Sequence, residues 1–86
     1  MLEAVKMALR IKTDAFDDEL NGLIAACVAD LGLSGVKTDN TDDPLIVRAV
    51  IVYCKAYFGS NPDAVQYEQS YQALKISLSL AGDYRA

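Results

Sequence analysis

Residues 43–62, DPLIVRAVIVYCKAYFGSNP, hold the punctuation and the apolar content that decide the architecture of this chain. Asp43 before Pro44 is an N-cap followed by proline at the first helical position, where a missing N–H removes nothing the helix uses. From Leu45 the run is apolar nearly all round. Only Arg48 and Lys55 are charged, seven residues apart and so on one line of the helix. This predicts a helix over 44–58 that is central in a bundle or covered by partners. Gly59-Ser60-Asn61-Pro62 then stops one helix and opens another, with Asn61 as its cap, and so short a connection predicts an antiparallel hairpin.

The second arm of that hairpin, about 62–80, carries Ala64, Tyr67, Tyr71, Leu74 and Leu78 at steps of 3 and 4. Folding about 60–61 sets Cys54 near Tyr67, Val50 near Tyr71 and Val47 near Leu74, so the two seams are expected to pack together. Gly82 ends this helix and leaves a short tail with Tyr84 and Arg85. Upstream, Phe16, Leu20, Leu23, Ile24, Cys27, Val28 and Leu31 describe one face of a helix. Thr13 or Asp14 is placed to cap it, Asp17, Asp18 and Glu19 favour its positive end, and Gly32 and Gly35 close it. Leu2, Val5 and Leu9 predict a short N-terminal helix, with Glu3 and Arg10 at the ends the helix dipole favours. Nothing reads as a strand. The expectation is an all-α small helical bundle: a short N-terminal helix plus three main helices, the last two an antiparallel hairpin, in a single domain spanning 1–86.

Composition excludes several functions. The chain of 86 residues is 52% hydrophobic with a net charge of −4, and no Lys/Arg cluster exists to neutralise phosphates. Histidine is absent, which removes the commonest general base and the commonest metal ligand together. The apolar run Leu45–Cys54 falls short of the roughly 20 residues that span a bilayer, so no membrane partner is expected. Cys27 and Cys54 form no disulfide framework, and with no leader before them a reducing cytosol is the expected site of synthesis. Both fall on apolar helix faces and read as small core hydrophobes. A chain this short, left alone, buries only about 60% of its unfolded surface, and this one is more apolar than a lone monomer needs.

The acids Asp39, Asp42 and Asp43 invite a calcium reading, which fails on position. An EF-hand loop from Asp39 needs glycine sixth and glutamate twelfth, where Pro44 and Val50 stand. A solvated loop ending in a helix cap remains, longer than the roughly 2–8 residues usual between bundle helices. Ser34, in Gly-Leu-Ser-Gly, lacks the strand, the glycine spacing and the histidine of a nucleophile elbow. It follows a helix rather than opening one, and no Asp-Ser-Leu triplet of an acyl carrier occurs. Tyr53, Tyr57, Tyr67 and Tyr71 form two i,i+4 pairs that suit a core margin and an interface equally. No enzyme, cofactor or metal is expected. An interaction or assembly protein is.

The order Asp17-Asp18-Glu19-Leu20 through Leu23-Ile24-Ala25-Ala26, the Gly35 loop, Asp43-Pro44-Leu45, Lys55-Ala56-Tyr57 and a close near Tyr84-Arg85 resembles the tailed-bacteriophage head–tail connector family. The opening Leu2…Val5-Lys6…Leu9-Arg10-Ile11 fits the same pattern, so the resemblance covers essentially the whole chain. It implies a head-completion adaptor of a phage or prophage, made in the host cytoplasm and built into the virion at the head–tail junction. As such it would form a ring, typically dodecameric, under the portal protein and dock a downstream stopper or tail-completion protein. DNA would pass through without specific binding, and an acidic lining would let the duplex slide. Portal contact is expected at Leu78, Leu80, Tyr84 and Arg85, and subunit contact at Ala25, Ala26, Ala29, Tyr53 and Tyr57. Asp39 and Asp42 are expected to face a partner or the channel. The alternative is a small acidic helical regulator or inhibitor binding one host protein.

Overall fold

The structure, a computed structural model, describes residues 1–86. Four helices follow in order: α1 (Leu2–Leu9), α2 (Asp17–Leu33), α3 (Pro44–Tyr57) and α4 (Ala64–Leu80), with a 3-10 turn at Gly82–Tyr84. The only extended pairing is a single antiparallel bridge between Val36 and Arg85. The expected all-α bundle, including its α3–α4 hairpin, is therefore the fold. No helix is long and apolar enough to cross a membrane.

Helix α3 is central because its sequence leaves it almost no polar face. It packs against α1, α2 and α4, and buries Ile46, Ala49, Val50, Val52 and Cys54. The Asp43 side chain accepts from the Leu45 N–H at 2.9 Å, the expected N-cap, worth about 1 kcal/mol of helix stability. Of its two cations, Arg48 is exposed, whereas the Lys55 ammonium lies 5.4 Å from the Tyr67 ring. That contact and the edge-on Tyr53–Tyr71 pair at 5.1 Å set the hairpin register within a turn of the expected one.

At the hairpin turn, Asn61 accepts from the Asp63 N–H and donates to the Lys55 carbonyl. Asn61 thus organises the turn, but α4 begins at Ala64 with Asp63 in the cap position, two residues later than the sequence predicts. Helix α2 also starts without the expected cap. Phe16 occupies that position, Thr13 accepts from the Ala15 N–H, and Asp14 is drawn away to Lys6. Burial of the Lys6 ammonium explains this. It is the one buried charge, it lies 2.7 Å from Asp14 Oδ1 and 2.9 Å from Asp17 Oδ1, and two carboxylates offset its desolvation. The Asp17 oxygen is itself buried and off the hydrogen-bonding direction, so that contact is one of charge.

Helix α2 runs through Gly32 and closes at Gly35. The Val36 N–H reaches the Leu31 carbonyl at 3.0 Å and the Gly35 N–H the Gly32 carbonyl at 3.1 Å, a Schellman closure. Gly35 sits at φ +86°, where an L side chain would cost about 1–2 kcal/mol. The turn delivers Val36 into the core at 1% exposure, so the 32–43 connection is anchored and not wholly solvated. Helix α1 ends the same way, with Ile11 N–H on the Lys6 carbonyl, except that Arg10 holds the left-handed position at φ 60°.

Candidate functional site

The interior polar groups form a lock. Tyr71, at 1% exposure, donates its hydroxyl to Asp30 Oδ2 at 2.6 Å, and the Lys75 ammonium reaches the same oxygen at 3.0 Å. Cys27 Sγ sits 3.8 Å from the Tyr71 hydroxyl. The Tyr71 hydrogen bond, helped by Lys75, holds the Asp30 carboxyl below its ordinary range, while burial and then Asp30 push the Tyr71 phenol up. Burial likewise pushes the Cys27 thiol up to about 12 and the Cys54 thiol to about 11. Thiols held that high are protonated and inert at neutral pH. The network ties α2 to α4 and offers no nucleophile.

Ala25, Ala26 and Ala29 are exposed along the outer side of α2, and a Cβ added at neighbouring Gly22 or Gly32 would meet nothing. That side is a smooth strip a neighbouring helix could approach closely. Tyr53 and Tyr57 stack at 4.6 Å; Tyr53 is half-buried against Tyr71, and Tyr57 is the exposed member. Asp39 and Asp42 are both exposed, and the Asp42 N–H donates to Asn40 Oδ1 at 3.0 Å, which fixes the loop locally.

The C-terminal residues divide. Leu78 is in the core, 3% exposed, and supports the end of α4 from inside, so it offers no docking surface in this conformation. Leu80 stands 71% exposed, and Arg85 is exposed too. Tyr84 is half-buried, its hydroxyl 3.1 Å from both oxygens of the Asp43 cap. Two backbone bonds close the clasp: Lys37 N–H to the Tyr84 carbonyl at 2.6 Å and Ala86 N–H to the Gly35 carbonyl at 2.8 Å. Asp39 and Tyr84, from separate parts of the sequence, meet in one cleft of about 170 Å³ with Lys37, Asn40, Asp43 and Asp83. No group of acids or thiols converges closely enough to hold a metal ion.

Several members of these arrangements escaped the sequence reading. Asp30 and Lys75 were missed although Asp30 follows Cys27 by three and Lys75 follows Tyr71 by four, the helical spacings that put neighbours together. The second role of Asp43 had no local signal, because its partner lies 41 residues away. Lys6 sits between the apolar positions Val5 and Leu9, a hint that it would be carried inward.

Leu33 and Leu80 are largely exposed and Leu45 about half so, and all three lie at one end of the bundle, where α2 finishes, α3 begins and α4 finishes. The acids Asp39, Asp42, Asp43 and Asp83 share that end with Lys37 and Arg85.

No curated protein and no solved structure matches this chain. The family model described as phage connector protein matches residues 1–85, nearly the full length. A match over nearly the whole length shows the family: the chain belongs to the phage connector protein family, whose members are components of the phage particle.

Proposed function

We propose that this protein is a head–tail connector that assembles as a ring beneath the portal, extends the DNA exit channel and receives the next head-completion or tail protein. The full-length family match carries this reading. The surface supports it. Eight large hydrophobic side chains stand exposed, including Met7 at 80% and Leu33 at 89%, on a chain of 86 residues. Such side chains in water are what an assembly subunit keeps for its neighbours.

Leu80, Tyr84 and Arg85 are the portal-facing residues in this reading, braced by buried Leu78. Ala25, Ala26, Ala29, Tyr53 and Tyr57 serve the subunit contacts. Asp39 and Asp42 face a partner or the channel, where negative charge keeps DNA from sticking. A ring is a closed heterologous assembly, so each subunit presents two different faces.

The test is genetic. A phage with a stop codon in this gene should accumulate DNA-filled heads and complete tails that fail to join, restored by supplying the protein in trans. Normal joined particles in its absence overturn the reading, and a complex with one host protein alone would point to a regulator.

A further inference from the structure

A groove of about 510 Å³ runs beside α1, lined by Glu3, Lys6, Met7, Arg10, Ile11 and Lys12. Met7 stands 80% exposed at its edge. Lys6 is committed to Asp14 and Asp17, but no ion pair reaches Arg10 or Lys12. Arg10 also occupies the left-handed closing position of α1, which the fold alone would give to glycine. The groove therefore joins an apolar surface to two cations without partners, and its only carboxylate is Glu3.

We propose that this groove receives the acidic, leucine-bearing end of a second copy of the chain. That end presents Asp39, Asp42 and Asp83 beside exposed Leu33 and Leu45, so it offers both the charge and the apolar contact the groove lacks. A single copy cannot satisfy itself. The Lys6–Asp17 contact fixes the groove at the start of α2, the acidic loop lies past its end, and α2 is 17 residues long, about 25 Å. Groove and acidic end are different surfaces, so the contact is head-to-tail, the type that generates a ring when the rotation closes. The inference rests on the connector reading and names the faces that meet.

Sedimentation velocity at high protein concentration and low salt tests it, with folding of each variant checked by circular dichroism. The reversals use exposed residues: Arg10→Glu with Lys12→Glu on one face, Asp39→Lys with Asp42→Lys on the other. Wild type should self-associate, less so as salt rises, and each reversal should weaken association by about tenfold or more. An equimolar mixture of the two variants should recover it. Association that ignores both reversals, a mixture that fails to recover, or a wild type that stays monomeric overturns the pairing. The connector reading fails on a different result, joined particles in the absence of the protein.

Discussion

Cys27 and Cys54 show how far a residue's type predicts its behaviour here. Their positions on apolar faces predict burial, and both are fully buried beside Tyr71 or within α3. Burial carries a consequence at high pH. Free thiols ionise near 9.0, whereas in the fold Cys27 waits until about 12 and Cys54 until about 11. Above pH 9 the unfolded chain releases protons that the folded chain retains, so stability falls as pH rises; below 9 the contribution is complete. Denaturant titrations across this range should show a steeper alkaline loss in wild type than in a variant with both cysteines replaced by alanine. Equal slopes would contradict the assignment. Other residues were less legible. Lys6 is held by Asp14 and Asp17, which its own helix pattern does not name, and Val36 is carried into the core by the turn at Gly35.

Among the elements, α3 and the α3–α4 hairpin were readable because apolar spacing and the Asp43-Pro44 and Gly59–Pro62 punctuation agree. The start of α2 was not, because Asp14 is worth more to Lys6 as a charge than to a helix as a cap. The C-terminal tail departs furthest from expectation. It reads as a short tail carrying Tyr84 and Arg85, and the Tyr84 clasp ties it to the 35–43 loop through one side chain and two backbone bonds. Tyr84→Phe removes the hydroxyl and leaves Asp43 capping Leu45. Amide exchange at Lys37 and Ala86 should then speed up several-fold, while α2, α3 and α4 stay protected. Unchanged exchange at those two amides would mean the backbone bonds hold the tail unaided. For the same reason the proposed docking of the tail on the portal is better probed by Leu80→Ser or Arg85→Glu than by deleting residues that also close the loop.

At the scale of the whole molecule, the fold class followed from periodicity, and the family followed from the order of helices and their punctuation. The assembly surfaces did not, because an interface on a small bundle uses ordinary residue types whose meaning depends on which end of the fold they reach. Leu33, Leu45 and Leu80 are separate in sequence and share one end of the bundle because α2 finishes, α3 begins and α4 finishes there. The length of α2 sets the acids of the 39–43 loop at the end opposite the Arg10 and Lys12 groove. Two different ends are what the proposed ring contact requires. The account turns on whether it joins the portal, and native mass spectrometry of the chain mixed with the portal protein of the same phage asks this directly. The account predicts a portal-bound ring with a fixed, dodecameric complement of this chain. A strict monomer that ignores the portal at every concentration would contradict it.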